Sequence, residues 1–341
     1  MNVMQIHEIA GKAVRLEKLS EDEALGILNL PDENLPELLD EVFAIRKKYK
    51  GMRVGIQLLS NARSGNCTED CAYCAQGSSA QSEIETYKHI PYDRIAAHGK
   101  LVDDKKLSRH CIGLSGISFT DGEIDELCRT IRGLKAASPA AICCSIGFLT
   151  REQARRLREA GVDRVNHNLN TSRAHYPAIC GTHSYDERLA NIKMLQETGF
   201  EICCGGIVGL GERATDITAM FFDIQAIHPA SVPVNFLIPL KGTALENTGT
   251  GCLTPEYCLK VLSLARLLLP QSDIRCAAGR EIYLKGREAE LFRVVDSIFA
   301  SGYLTAGGQS VDDAIRLVQE CGFEYAVDSA DLPHTGQDKN Q

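Results

Sequence analysis

The chain has 341 residues, of which 44% are hydrophobic and 24% charged, as is ordinary for a soluble globular protein. Its formal net charge of −8 argues against a general nucleic-acid or anionic-membrane binder. No apolar run reaches the roughly 20 residues that span a bilayer. The polar N-terminal stretch, MNVMQIHEIAGKAVRLEKL, lacks the pattern of a secretory signal, which predicts a cytoplasmic protein.

Fourteen cysteines are a high count for such a chain. Disulfides are rare in a reducing cytosol, so these cysteines are interpreted as core residues, metal ligands or catalytic thiols. Free cysteine packs as a small hydrophobic residue, and several are expected to be structural only. That interpretation is given to Cys128, Cys180, Cys252, Cys258 and Cys321.

Residues 1 to about 50 predict helices, because apolar side chains recur at helical spacing and Ser20 to Glu23 form a capping box. From residue 52 onward, short β-rich runs alternate with amphipathic stretches. The strands are predicted over 52–59, 109–115, 140–146, 164–170, 201–208, 232–238, 273–279 and 297–304. The helices are predicted near 90–106, 121–136, 150–160, 184–198, 213–227, 254–268, 281–293 and 310–321.

Strands that are each followed by a helix, eight times, predict an α/β fold of the (β/α)8 TIM-barrel type over residues 51–325. Residues 1–50 form an N-terminal helical extension in this prediction, and 326–341 a polar, disordered tail. The alternative is an open doubly wound sheet. It is less favoured because no G-x-G-x-x-G motif follows a strand and opens a helix.

A cysteine motif of the form C-x3-C-x2-C follows the first predicted strand. Its members are Cys67, Cys71 and Cys74, on a loop at the end of the barrel where catalytic residues lie in this fold. Structural zinc requires four closed ligands, and a fourth would have to come from elsewhere in the chain. Three thiolates with one open position favour a [4Fe–4S] cluster instead.

More cysteines lie within predicted strands: Cys111, the pairs Cys143–Cys144 and Cys203–Cys204, and Cys276. Side chains alternate along a strand, so one member of each pair is expected to point into the barrel. Inward cysteines of different strands can converge on a second metal site. Each of them taken singly also fits a small apolar strand residue.

Polar residues recur in the strands as well. Asn166, Asn168 and Asn170 are spaced by two and are expected to face the barrel interior, where a polar ligand explains them better than core packing. Asn235 adds another amide, and His167 is expected on the opposite, outer face. Arg275 requires an anion or a metal cluster if it points inward, and a salt bridge if it faces the helices.

The cysteine motif, with an aromatic residue before its third cysteine, resembles that of the radical S-adenosylmethionine superfamily. More narrowly, the chain resembles the biotin synthase family. The matching segments are NCTEDCAYCAQ (66–76), VNHNLNTS (165–172), YDERL (185–189), CCGGIVGLGE (203–212), SVPVNFL (231–237), KGT (241–243) and IRCAAGRE (274–281).

The resemblance implies that Cys67, Cys71 and Cys74 hold a [4Fe–4S] cluster whose open iron binds S-adenosylmethionine. Tyr73 would lie against the adenine and Arg188 would pair with the methionine carboxylate. In this family the reduced cluster cleaves the sulfonium bond, and the 5′-deoxyadenosyl radical removes hydrogen from dethiobiotin. An unactivated C–H bond is out of reach of a general base, so the cofactor supplies this chemistry.

The resemblance also implies an auxiliary cluster, expected to be [2Fe–2S], as the sulfur source. Its ligands would be Cys111, Cys143, Cys203 and Arg275. The amides of Asn166, Asn168 and Asn235 match positions that contact dethiobiotin, and Asn168 and Asn170 match positions near the adenosyl moiety. A flavodoxin or ferredoxin as electron donor and a homodimer are further expectations.

The chain departs from the family pattern at several positions. Asn170 stands where the family usually has Asp, and Thr68 and Ala75 replace common prolines. The thiols of Cys144, Cys204 and Cys276 flank the auxiliary positions, and one of them turned inward would enlarge that cluster. Two other functions stay open: a related maturase or mutase with a different substrate, and a non-catalytic iron–sulfur or zinc protein that senses redox state.

Overall fold

The computed structural model describes residues 1–300 and 307–326. The α-helices are α1 Val3–Val14, α2 Glu21–Leu28, α3 Leu35–Lys50, α4 Tyr92–Asp104, α5 Asp121–Ala137, α6 Arg151–Ala160, α7 Tyr185–Glu197, α8 Ala214–Ile227, α9 Pro255–Leu268, α10 Arg280–Tyr283, α11 Glu288–Leu291 and α12 Val311–Glu320. The strands are β1 Arg53–Arg63, β2 Arg109–Leu114, β3 Ile142–Ser145, β4 Arg164–Asn166, β5 Glu201–Cys203, β6 Gly206–Val208, β7 Ser231–Phe236, β8 Asp273–Cys276, β9 Ser297–Ala300 and β10 Glu324–Ala326.

The strands form a closed parallel barrel. Adjacent strands around the barrel are β1, β2, β3, β4, β5, β7, β8 and β9, in that order. The barrel closes because β9 pairs with β1. Strand β6 continues the line of β5 and pairs with β7, while β10 lies beside the start of β1. The predicted (β/α)8 barrel is therefore confirmed, and the β1–β9 pairing excludes the open sheet.

Most predicted elements are present, but three are wrong in detail. The strand predicted over 201–208 is broken at Gly205, where a Cβ atom would lie 1.9 Å from the carbonyl oxygen of Pro233. The strand predicted over 164–170 ends at Asn166, and Asn170 has a left-handed backbone with φ +70°. The helix predicted over 281–293 is two short helices, with Gly286 at φ +83° between them. Residues 301–304 of the last predicted strand, and the predicted tail beyond Ala326, lie outside the described residues.

The strand residues alternate between two environments, as the period of two requires. Cys144, Cys204 and Cys276 belong to the main hydrophobic core between the strands and the helices. Cys111, Cys143 and Cys203 form a separate cluster inside the barrel. The period of two predicts one inward cysteine in each adjacent pair, and Cys143 and Cys203 take that position.

The first three helices share the main hydrophobic core with the barrel. Helix α3 reaches the amino-terminal ends of the strands, where Arg46 is fully buried and donates to the carbonyl oxygens of Arg53 and Val295. The carboxylate of Asp296 lies 3.6 Å from this guanidinium and also pairs with the buried Arg266. Burial lowers the pKa of Arg46, and the attraction of Asp296, which raises it, offsets only part of this effect. A shared carboxylate thus links α3, α9 and the start of β9.

No helix in the described ranges combines the length and apolar character that a membrane crossing requires.

Replacing Asp296 with alanine is expected to lower the free energy of unfolding by about 3–5 kcal/mol, because it leaves two guanidiniums buried without their carboxylate. Urea denaturation followed by circular dichroism measures the change. The matched control is Glu159→Ala, which removes the exposed partner of Arg155 on α6 and is expected to cost less than about 1 kcal/mol. Equal losses for the two variants would show that backbone carbonyls alone compensate Arg46 and Arg266.

Candidate active site

A cavity of about 390 Å³ runs from the carboxyl ends of the strands into the barrel. Its mouth is bordered by the cysteine loop that follows β1, and its floor is formed by side chains of β2, β3, β5 and β8. The residues predicted as functional that line it are Cys67, Cys71, Tyr73, Cys74, Cys111, Cys143, Asn166, Asn168, Asn170, Arg188, Cys203, Asn235 and Arg275. One cavity therefore brings together the complete predicted set.

The cysteine loop leaves β1 at Arg63 and is closed by backbone hydrogen bonds. The amide of Cys67 donates to the carbonyl of Gln76 at 3.2 Å, and the amide of Cys74 donates to that of Cys71 at 2.9 Å. Gln76 is buried, and its side-chain oxygen accepts from the amide of Gly65 at 2.9 Å. These contacts hold three half-buried thiols at the mouth of the cavity.

Two acidic residues inside the loop fasten it to the segment before α7. Asp70 accepts from the amides of Gly181 and Thr182 at 3.0 and 3.2 Å. Glu69 accepts from the Thr182 hydroxyl at 2.6 Å and makes a short hydrogen bond with His183 Nδ1. Burial would raise the pKa of Glu69, but these hydrogen bonds lower it on balance. The loop is therefore tied to residues 181–183 at the cavity mouth.

Cys180 lies beside the loop, although its sequence suggested only a structural role. Its Sγ is 3.8 Å from Cys71 Sγ and 3.3 Å from His183 Nδ1. The hydrogen bond between the two thiols raises the pKa of Cys71 and lowers the pKa of Cys180. In the described part of the chain, Cys71, Cys180 and His183 form the only group of three His, Cys, Asp or Glu residues whose potential metal-binding atoms all lie within 4.8 Å of one another.

Neither the loop cysteines nor the interior cysteines are spaced for a single metal ion. Among residues 1–300 and 307–326, no group of three close ligand atoms is formed by Cys67, Cys71 and Cys74. The wider spacing and the soft thiol donors fit an iron–sulfur cluster, in which each cysteine binds a different iron. The same reasoning applies to the interior set.

Three cysteines meet in the barrel interior, each less than 5% exposed. Cys111 and Cys143 stand opposite each other in the β2–β3 register, and Cys203 comes from β5. A hydrogen bond with Cys111 raises the pKa of Cys143 to about 12 and lowers that of Cys111. Leu59 and Phe299 pack against the three thiols.

Arg275 projects into this interior cluster. It is 2% exposed, its Nη1 lies 3.8 Å from Cys203 Sγ, and its guanidinium stacks 5.1 Å from the Phe299 ring. Its Nη2 donates to Asp273 at 3.1 Å and to Ser231 at 2.8 Å. Burial would raise the pKa of Asp273, but Arg275 holds it well below its usual range.

Arg275 therefore points into the barrel, and its salt bridge is with Asp273 on the same strand and not with a helix. Arg109 and Arg164 also lie inside the barrel base, where Glu201 pairs with both. The positive charge of Arg275 suits thiolates and an anionic cluster at this depth.

The predicted asparagines line the cavity, and most already have protein partners. Asn166 Nδ2 donates to Asn168 Oδ1 at 3.0 Å and lies 3.2 Å from Cys203 Sγ. Asn168 Oδ1 also accepts from the amide of Gly205 at 3.0 Å. Asn235 bridges the carbonyl of Gly206 and the amide of Ala278, at 3.1 Å each. An amide has two donors and two acceptor sites, so each of these side chains retains capacity for a ligand.

The prediction for His167 is wrong. The residue is buried, lines the same cavity as the asparagines, and lies with its ring 5.3 Å from that of Phe148. Burial lowers its pKa to about 3, so the imidazole is neutral. Because β4 ends at Asn166, strand alternation no longer decides which way the next side chain points.

Tyr73 and Arg188 complete the mouth of the cavity. Arg188 is half-buried, and its Nε donates to the Tyr176 hydroxyl at 2.5 Å while Nη1 donates to the carbonyl of Asn168 at 3.1 Å. Burial raises the pKa of Tyr73, so its phenol is neutral. A neutral aromatic ring beside a fixed guanidinium can bind a molecule that carries both a flat base and a carboxylate.

Comparison with known proteins agrees with this arrangement. The Radical SAM superfamily matches residues 62–223, and the Biotin and Thiamin Synthesis associated domain matches residues 233–324. The biotin synthase of Lysinibacillus sphaericus is 39% identical over 329 residues, which cover 96% of this chain and 97% of that protein. That of Anoxybacillus flavithermus is 40% identical over 306 residues, 90% and 92% of the two chains.

The chain belongs to the biotin synthase family. The resemblance stated from its motifs is thereby confirmed. Among solved structures, methylornithine synthase has a TM-score of 0.80 at 17% identity, covering 93% of this chain and 97% of its own. A maturase of the [FeFe]-hydrogenase has a TM-score of 0.82 at 18% identity, with coverages of 97% and 78%. At such identities these two structures show a shared fold only.

Sequence reasoning missed the residues that fasten the cysteine loop. Glu69 and Asp70 lie within the family motif, but their partners Gly181, Thr182 and His183 come more than 110 residues later. No spacing rule connects the two segments. The one available signal was two carboxylates inside a short cysteine loop, since such groups are rarely buried without partners.

Replacing Asp70 with alanine is expected to loosen the loop, because two backbone amides lose a charged acceptor worth about 1.5 kcal/mol or more. Hydrogen exchange of Gly181 and Thr182 should then be at least about tenfold faster. The control is Asp186→Ala, which removes an exposed carboxylate paired with Arg173 on the same side of the barrel. Unchanged exchange in Asp70→Ala would show that Glu69 holds the two segments together without it.

Proposed function

We propose that this cavity is the site at which sulfur is inserted into dethiobiotin to form biotin. The chain is a radical S-adenosylmethionine enzyme by its family matches. When bound, the iron–sulfur cofactors and S-adenosylmethionine supply a 5′-deoxyadenosyl radical and the sulfur to be inserted. The protein's own residues hold these groups, orient the substrate and exclude water.

The loop thiols of Cys67, Cys71 and Cys74 would hold the [4Fe–4S] cluster. Three protein ligands leave one iron for the amino and carboxylate groups of S-adenosylmethionine. Arg188 lies at the same mouth and is fixed by two hydrogen bonds, so its charge is available to the methionine carboxylate. Tyr73 and the amides of Asn168 and Asn170 line the wall where the adenosyl portion would lie.

The interior thiols of Cys111, Cys143 and Cys203, with Arg275, would hold the auxiliary cluster. This interior set is the single observation that carries the proposal, since the loop cluster alone would generate the radical and the interior cluster would supply the sulfur. Cys144, Cys204 and Cys276 point away into the core, which supports the three-cysteine set and the expected [2Fe–2S] cluster over a larger one.

Dethiobiotin would lie between the two sets of thiols. Asn166 touches Cys203 and lines the cavity, and Asn235 lies across it on β7. Ile207, Phe236 and Leu237 add apolar walls. A site that excludes water protects a carbon radical from side reactions, and amides placed on rigid strands orient the carbon that is to react.

We also propose how the chain is divided and what it interacts with. Residues 51–325 would form the catalytic barrel domain, with 1–50 as its helical extension and 326–341 as a tail. A flavodoxin or ferredoxin would supply electrons. The protein would act as a cytoplasmic homodimer, without nucleic-acid or membrane partners.

Anaerobic reconstitution followed by product analysis tests the function. Iron and sulfide are counted, and the protein is then supplied with reductant, S-adenosylmethionine and dethiobiotin. We expect two iron–sulfur clusters per chain, 5′-deoxyadenosine and biotin. Cleavage of S-adenosylmethionine without biotin would indicate another substrate, and zinc without sulfide would contradict the radical function altogether.

Replacing Cys143 with alanine is expected to preserve cleavage of S-adenosylmethionine while lowering biotin formation at least about 100-fold, because the interior cluster loses a ligand. Chromatography of 5′-deoxyadenosine and biotin measures both products. The control is the adjacent Cys144→Ala, whose side chain lies in the outer core. Normal biotin yield from Cys143→Ala would contradict the assignment of the interior site.

A further inference from the structure

We propose that the cluster-free chain binds a single zinc ion through Cys71, Cys180 and His183, with Glu69 as the fourth ligand. This site shares Cys71 with the proposed [4Fe–4S] cluster and uses none of its other cysteines. The inference rests on the proposed function only through that shared residue. Zinc and the cluster would then exclude each other.

The distances between the three ligand atoms fit one tetrahedral zinc ion. Two sulfurs bound to one tetrahedral zinc at about 2.3 Å lie about 3.8 Å apart. The Sγ atoms of Cys71 and Cys180 are 3.8 Å apart. His183 Nδ1 is 3.3 Å from Cys180 Sγ, and all three ligand atoms lie within 4.8 Å of one another. The thiols of Cys67 and Cys74 do not enter this group.

The surroundings supply the fourth ligand and orient the histidine. The carboxylate of Glu69 already contacts His183 Nδ1, so a small shift would place one of its oxygens on the metal. His183 Nε2 lies 2.8 Å from the Tyr176 hydroxyl. Zinc would displace the proton that Nδ1 now shares with Glu69, and the contact with Tyr176 would hold the remaining proton on Nε2, as outer hydrogen bonds commonly do at metal sites.

Burial and charge also fit. Cys180 and His183 are buried and Cys71 is half-buried, so the ligands are held before any metal arrives. Two thiolates, one carboxylate and Zn²⁺ carry one net negative charge. The guanidinium of Arg188 lies close enough to act electrostatically on Cys71 and His183.

Occupation of this site would have a defined effect on the proposed enzyme. Cys71 cannot bind zinc and an iron of the cluster at once, so zinc would block cluster assembly until it leaves. Zinc release requires the thiolates to be freed, and no oxidation or reduction is involved. The site would thus regulate loading of the iron–sulfur cluster through metal availability.

Titration of the reduced, cluster-free full-length protein with Co²⁺ and then Zn²⁺, without oxygen, tests the proposal. We expect one ion per chain, a sulfur-to-cobalt charge-transfer band and tetrahedral d–d bands. Cys180→Ser and His183→Gln should each weaken binding at least about tenfold. Cys67→Ser is the matched control within the cysteine loop and should bind as tightly as wild type.

Two outcomes would overturn the proposal: absence of stoichiometric binding, or binding that is lost in Cys67→Ser but kept in Cys180→Ser. Reconstitution separates this result from the proposed function. Cys180→Ser should still accept a [4Fe–4S] cluster. One equivalent of Zn²⁺ should slow cluster reconstitution in the wild type, and the slowing in Cys180→Ser should be at least about tenfold smaller. Failure of Cys180→Ser to accept the cluster would count against the cysteine-loop assignment, whereas its failure to escape zinc inhibition would count against the zinc site.

Discussion

The positive charge of Arg275 inside the barrel is the constraint on which the rest of the site depends. A guanidinium that is 2% exposed is stable only with negative charge beside it, and Asp273 supplies one such charge at 3.1 Å. Arg109 and Arg164 lie nearby at the barrel base, where both pair with Glu201. The sulfur atoms of the interior cysteines lie on the side of Arg275 that faces the cavity, with Cys203 Sγ 3.8 Å from Nη1. The charge therefore fixes both where an anionic group is stable and how deep in the barrel it lies.

The alternation of strand side chains then decides which cysteines take part. Because neighbours on a strand face opposite ways, Cys143 and Cys203 enter the barrel while Cys144 and Cys204 enter the outer core. This division could be predicted from sequence alone, since it depends only on the period of two and on recognising the strands. The barrel itself could be predicted for the same reason: eight β-rich runs alternate with helical ones, and a closed parallel sheet accommodates that order.

Prediction failed where the chain leaves regular structure. His167 was expected on the outer face because alternation was extended beyond Asn166, where β4 ends. The need for glycine at Gly205, between β5 and β6, could not be predicted from the local sequence. It arises because the backbone of Pro233 on another strand leaves no room for a side chain. The attachment of the cysteine loop depends on Thr182 and His183, which are distant in sequence and are brought close only by the closed barrel. These features follow from tertiary contacts and have no local signal.

The two ends of the cavity are electrostatically alike, and this would allow the proposed site to hold two clusters in order. Arg188 lies at the mouth beside Cys71, and Arg275 lies at the floor beside Cys203. Each guanidinium is fixed by hydrogen bonds to neutral or acidic partners, so neither can move toward the other end. The mouth is polar and built on a loop held by carboxylates, whereas the floor is built on rigid strands and lined by Leu59 and Phe299. A group that must be replaced at each turnover suits the mouth, and a group that must hold its place while it gives up sulfur suits the floor.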